Sequence, residues 1–216
     1  SRNTNDKAVD WLIQHPEKIH RLYFSQNTND KAVEWLIKHP EKICDSFSQN
    51  TNDKAVEWLI NHPDKIEVYW FSINPNDKAA EWMLKCKNTM YFYRLSENRN
   101  DKIVDWLINH PDKIDCESFS RNTNDKAVEW LINHPNKIHY FFFARILNNK
   151  SIKWIIDNHL EKITHTVNVR NLDCETIFKL LLENQEKIDY NDISFNKNFY
   201  KQDDSKIKNL LKLISE

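Results

Sequence analysis

Five His-Pro pairs are the first residues with the means to do chemistry: His15, His39, His62, His110 and His134 each precede a proline. Histidines ligate metals, but each ligand on one zinc lies about 2.0–2.1 Å from the ion. Equivalent residues of stacked helices stand about 8–10 Å apart, so such a column does not converge on one ion. A histidine at a helix end instead caps or packs on the last turn, where positive charge is favoured. Tryptophan recurs at 11, 35, 58, 82, 106, 130 and 154. A ladder of rings could stack sugars or bases. The constant context of each Trp points instead to a repeating core residue between neighbouring units. On that reading Trp106→Ala costs ~3–5 kcal/mol. No Cys–His, Ser–His or paired-carboxylate arrangement stands outside the repeated phrase, and residues duplicated along a stack do not easily meet in one pocket. The reading is therefore of a non-enzyme, with no catalytic, cofactor-binding or metal-ligating residues and no cofactor.

Composition narrows the class further. The 216 residues include no glycine, which removes phosphate-cradling loops, dinucleotide turns and nucleophile elbows. A formal net charge of −1 argues against a nucleic-acid partner. Hydrophobic residues at 40% suffice for a core, while no apolar run approaches the ~18–20 residues of a membrane span. Cys44, Cys86, Cys116 and Cys174 are dispersed, without a C-x-x-C pair, which fits reduced thiols in a cytoplasmic setting.

The elements that must carry these residues follow from an internal repeat of about 24 residues. Its fullest copy runs Asn122-Thr123-Asn124-Asp125-Lys126-Ala127-Val128-Glu129-Trp130-Leu131-Ile132-Asn133-His134-Pro135, followed by Lys-Ile, a short variable segment and Phe-Ser. Clear copies start at Asn3, Asn27, Asn50, Asn74, Asn98 and Asn122, worn ones cover 150–163 and 176–188, and 203–214 reads as an amphipathic helix. The predicted fold is all-α: an α-solenoid of about eight stacked two-helix repeats, forming one continuous domain. Residues 1–145 hold six regular repeats, 146–190 two degenerate ones, and 191–216 a linker and capping helix. The chain starts in phase at a repeat's tail, Ser1 matching Ser25, which points to a longer array.

Repeat four suggests where the helices start. Its Asn74-Pro75-Asn76-Asp77 places proline at a favoured first helical position, so Asn74 and by analogy Asn3, Asn27, Asn50, Asn98 and Asn122 are the expected N-caps. Asp three residues later would reach back as in a capping box. By the same logic Pro16 opens a second helix running to about Ser25. Repeat two is one residue short between Ile43 and Phe47, so a local bulge or early helix end is expected there. Repeat seven gains a residue before His159 and lacks the proline, so its geometry should depart from the rest.

One segment changes from copy to copy, between the Ile and Phe of the second helix. It is aromatic in four of the six regular copies, but reads Cys44-Asp45-Ser46 and Asp115-Cys116-Glu117-Ser118 in the other two. Were all these positions core, those two repeats would hold voids or buried carboxylates. Part of the segment should therefore face solvent. A fixed frame with one changing segment per unit is how solenoids build binding surfaces, and the competing reading is drift after recent duplication. The candidate partner-binding residues are Tyr69, Trp70, Tyr91, Tyr93, Tyr140 and Phe142, with Asp45, Glu67, Asp115 and Glu117 as a negative rim. The expected function is a protein-interaction scaffold whose second helices take a protein or peptide segment carrying apolar anchors with Lys or Arg beside them. The alternative is a modular reader of single-stranded RNA.

The phrase Asn-x-Asn-Asp-Lys-Ala-x-Glu-Trp-Leu-x-x-x-His-Pro-x-Lys-Ile, with Asn74-Pro75 and Trp70-Phe71-Ser72, resembles tandem Asn/Pro-containing repeats in proteins of giant amoeba-infecting DNA viruses. The likeness is good over about residues 1–145 and loose over 150–190, and departs after Ile146, where the Asn cap and the proline are lost. The chain's 27 Asn, 24 Lys and 22 Ile agree with it, since all use AT-rich codons. The resemblance implies a viral repeat protein in the infected-cell cytoplasm or the virion. It brings no activity and no functional residue.

Overall fold

A computed structural model describes residues 3–86, 91–146 and 148–159. The described residues are all-helical, a repeat solenoid in which each unit is a long helix, a tight turn and a short helix. In chain order the helices are α1 (Asp6–Gln14), α2 (Arg21–Ser25), α3 (Asp30–Lys38), α4 (Asp53–Asn61), α5 (Val68–Phe71) and α6 (Asp77–Lys85). They continue as α7 (Phe92–Ser96), α8 (Asp101–Asn109), α9 (Cys116–Phe119), α10 (Asp125–Asn133), α11 (Tyr140–Phe143) and α12 (Asn149–Asn158). The chain divides into two compact units, Ser1–Ile114 and Asp115–Glu216. In the first, α1, α3, α4, α6 and α8 pack in succession, and α2 and α5 pack on either side of the turn Asp45–Gln49. In the second, α10 packs on α12. The expected eighth repeat, the helix at 203–214 and Cys174 lie outside the described residues.

The core is built from the same columns in the described repeats. Val33, Leu36, Phe47, Val56, Leu59 and Phe71 are almost wholly removed from solvent, as are their equivalents along the chain. Each such side chain contributes about 1.5–3 kcal/mol by burial. Repeat four carries Leu95 in the Phe column, and the next long helix carries Ile103 where the other five regular copies have Ala. The two helices pack on each other, so the smaller Leu95 and the larger Ile103 change volume in opposite senses at that packing.

The helix starts fall two residues later than expected. The N-caps are Asn5, Asn29, Asn52, Asn76, Asn100 and Asn124, whose side chains accept from the backbone N–H two residues on. Pro75 precedes the cap and lies outside the helix. The reason sits in the preceding repeat. Asn50 is buried, its Oδ1 accepts from Asn52 N, and its Nδ2 donates at 2.9 Å to the carbonyls of Ser25 and Asn27. Asn74 and Asn98 do the same one and two repeats further on. The first asparagine of the phrase is therefore an inter-repeat staple, and the second is the cap.

The expected capping box does not form at Asn27, Asn50, Asn74, Asn98 or Asn122, whose backbone N–H groups donate to the carbonyl three residues earlier. Asp6, Asp30, Asp53, Asp77 and Asp125 each accept from the Nδ2 of the next repeat's capping Asn, at 2.6–2.8 Å. The lysine of the phrase spans back between two carboxylates of the preceding long helix: Lys54 meets Asp30 and Glu34, and Lys78 meets Asp53 and Glu57. These pairs push the Lys54 ammonium up to about 12, first through its hydrogen bond to Glu34. Hydrogen bonds from Lys and Asn hold Asp30 and Asp53 below the usual carboxylate value. The cap is also kept in repeat seven, where Asn148 accepts from Lys150 N and Ser151 N, so the sequence reading of a lost Asn cap there is wrong.

The second helix is broken rather than continuous. Pro16–Lys18 makes one 3₁₀ turn, the chain extends through Ile19 and His20, and α2 then begins. The break is set by neighbours again. The backbone N–H groups of Cys44, Glu67 and His139 donate to Oγ of Ser25, Ser48 and Ser120, each in the preceding repeat. In repeat two the missing residue turns the short helix into the 3₁₀ segment Asp45–Gln49. A 3₁₀ turn rises about 2.0 Å per residue against 1.5 Å, so four steps nearly match five. In repeat seven α12 is one residue longer than the other long helices, and its Trp154–His159 pair is tilted by 56°.

Candidate functional site

The histidine column does its work locally. In five repeats His Nδ1–H donates at 2.7–2.8 Å to the Trp carbonyl four residues earlier, and so carries the ring proton. The imidazole also stacks on that Trp, with centroids 4.2–4.5 Å apart. Among the described residues no group of three or more His, Cys, Asp or Glu is placed to hold a metal ion. No described helix is long and apolar enough to cross a membrane.

The tryptophans are a half-buried seam and not, as expected, core residues. Trp35, Trp58, Trp82, Trp130 and Trp154 each meet the preceding repeat's Phe edge to face, as in Phe24–Trp35 and Phe47–Trp58. The stacked histidine covers another part. Where Leu95 replaces that Phe, Phe92 stacks on Trp106 instead, with the planes 13° apart. Trp11, in the first copy, is 51% exposed.

The variable segments occupy α2, the turn Asp45–Gln49, α5, α7, α9 and α11. None of the sequence-predicted partner residues is buried. Tyr91 and Tyr93 are 49% and 43% exposed, Asp45 and Glu117 are exposed, and Glu67, Tyr69, Trp70, Asp115, Tyr140 and Phe142 are half-buried. In the first unit, Tyr69, Trp70, Tyr91 and Tyr93 form one cluster. Tyr69 lies 4.8 Å from Trp70 and 6.3 Å from Tyr93, and Tyr93 lies 5.9 Å from Tyr91. The second unit brings together Tyr140, Phe142 and the exposed Phe141.

The acids are less free than a rim requires. Glu67 accepts from Trp70 N and Asp115 from Ser118 N, so both cap short helices. Glu117 pairs with Arg121 at 2.7 Å. Sequence reasoning missed the arginines, which lie over the rings: Arg94 is 4.2 Å from the centre of Tyr69 and pairs with Glu97, and Arg121 is 3.3 Å from the centre of Phe142. It also missed Phe141. A signal was present, because the position two before the core Phe is 200° round the helix from it. That column reads Leu22, Tyr69, Tyr93, Glu117 and Phe141, and only Tyr69 in it is half-buried rather than exposed.

Between repeats two and three the shortened segment leaves an open cleft of about 340 Å³. Trp58, Cys44, Asp45, Asp64, Lys65 and Glu67 are among its lining residues. No protein-family model, no curated protein and no solved structure matches the chain.

Proposed function

We propose that the chain is a non-enzymatic protein-interaction scaffold that takes a partner segment with apolar anchors along its short helices. The observation that carries this reading is a division of labour within the repeat. The constant phrase is consumed in staples, caps and core, whereas the changing segment presents Tyr91, Tyr93, Phe141, Leu22 and Tyr23 to solvent. Exposed aromatic and arginine side chains are what interface centres are enriched in. The alternative, a reader of single-stranded RNA, needs lysines tracking phosphates. Lys31, Lys54, Lys78, Lys102 and Lys150 already lie between carboxylates of the neighbouring repeat, which disfavours it. The resemblance to viral repeats adds a setting, the infected-cell cytoplasm or the virion. The test is to present the protein with a random peptide library and, separately, with a pool of single-stranded RNA. Enrichment of peptides with large apolar side chains, lost in the Tyr91→Asp/Tyr93→Glu variant, supports the scaffold; salt-sensitive RNA binding without peptide enrichment moves the assignment to the alternative.

A further inference from the structure

The cleft between repeats two and three lies where one residue is lost between Ile43 and Phe47. Its position in the repeat explains its chemistry. In repeat four the residue after the short helix's N-cap is Phe92, and it stacks on Trp106 of the next long helix. In repeat two the same place is held by Asp45, which is exposed, and the next Trp, Trp58, lines the opening. The cleft thus presents an indole at the mouth of a polar cavity, with Asp45, Asp64 and Glu67 around it and Lys65 as the cation on its wall. Lys65 lies 3.4 Å from the Asp64 carboxylate beside it, which leaves the lining net negative. A volume of about 340 Å³ admits one side chain, at the lower end of the ~300–1,000 Å³ of ordinary ligand pockets.

We infer that this cleft is the seat for a basic side chain, Arg or Lys, of the partner segment, whose apolar anchor rests on Tyr69, Tyr91 and Tyr93. This rests on the scaffold reading and gives it a polarity: the basic residue lies toward repeat two and the apolar residue toward repeat four. Charge complementarity selects a cation, because Asp45, Asp64 and Glu67 outnumber Lys65 in the lining and would accept its hydrogen bonds. Adjacent repeats stand about 8–10 Å apart, and an extended chain advances about 3.3 Å per residue. The basic residue and the apolar anchor are therefore separated by roughly three to six positions.

The test uses a displayed library of random dodecapeptides, selected on the full chain and on its Asp45→Asn/Asp64→Asn variant. Both substituted carboxylates are exposed, so the fold is retained. Peptides selected on the wild type are expected to carry Arg or Lys at that spacing from a large apolar residue. The double variant should keep the apolar preference, lose the basic one, and bind the best selected peptide about fivefold more weakly. Cys44 lies in the cleft wall, so bound peptide should slow its alkylation relative to Cys116. Apolar enrichment without a basic residue, the same basic preference on the variant, or unprotected Cys44 overturns the cleft assignment while leaving the scaffold. No enrichment at all, or enrichment indifferent to Tyr91→Asp/Tyr93→Glu, removes both.

Discussion

Replacing Asn74 by alanine should destabilise the protein several times more than replacing Asn76, two residues away. Asn74 is 1% exposed, and its side chain makes three hydrogen bonds: Nδ2 to the carbonyls of Ser48 and Asn50, each at 3.0 Å, and Oδ1 from Asn76 N, also at 3.0 Å. At a net of about 1 kcal/mol per bond, with a further penalty for buried groups left unmatched, Asn74→Ala should cost about 3–5 kcal/mol. Asn76→Ala removes an N-cap and the Nδ2 bonds to the Thr51 carbonyl and Asp53, but on a partly exposed face where water replaces them, and should cost about 1–2 kcal/mol. Asn74→Asp keeps the acceptor but presents an oxygen to two carbonyls, so it should be no milder than alanine. Urea unfolding followed by far-ultraviolet circular dichroism gives both free energies on one scale. Equal losses, or a cap-sized loss at Asn74 with a larger one at Asn76, would refute the assignment of staple and cap.

Trp106→Ala should cost about 2–3 kcal/mol in the same titration, below the cost of a fully buried ring, because the indole is only partly buried. Leu95→Phe and Ile103→Ala should each destabilise by about 1–3 kcal/mol, and the pair together by less than their sum, a coupling that a double-mutant cycle reads directly. Asp30, Asp53, Glu81 and Asp125 titrate lower when folded than when unfolded, so their contribution is present above the usual carboxylate range and is lost as pH falls through it. Lys54 is raised from 10.5 to about 12, so its contribution is full below 10.5 and fades as pH climbs toward 12. Thermal melts at pH 3, 7 and 11.5 should give the highest midpoint at pH 7. Inserting one alanine after Asp45 should convert the 3₁₀ segment to α-helix and close the cleft, seen as slightly stronger ellipticity at 222 nm per residue and slower Cys44 alkylation.

The period, the long helices and the histidine caps were legible because the signals are local. A Trp and a His four residues apart on one helix must meet, whatever surrounds them. The choice between two asparagines was not legible, since Asn74 and Asn76 are chemically equal candidates for a cap. What separates them is a pair of carbonyls on residues 48 and 50, which only the stacked neighbour supplies. The broken second helix has the same origin: proline favours a helix start, but the N–H four residues after it is taken by a serine 19 residues earlier. In the candidate site, exposure of the variable segment followed from comparing repeats, because Asp115-Cys116-Glu117-Ser118 cannot fill the space of three large aromatic side chains. The roles of Glu67 and Asp115 did not follow, because both cap helix starts that exist only through the break.

The most direct test of the account asks whether the changing segment carries function without carrying the fold. Tyr91→Asp and Tyr93→Glu together give repeat four the side chains that repeat five has at Asp115 and Glu117. If the rings face a partner, unfolding free energy should change by no more than about 0.5 kcal/mol while capture of apolar peptides is lost. A loss of several kcal/mol, or peptide capture that survives the exchange, would contradict it.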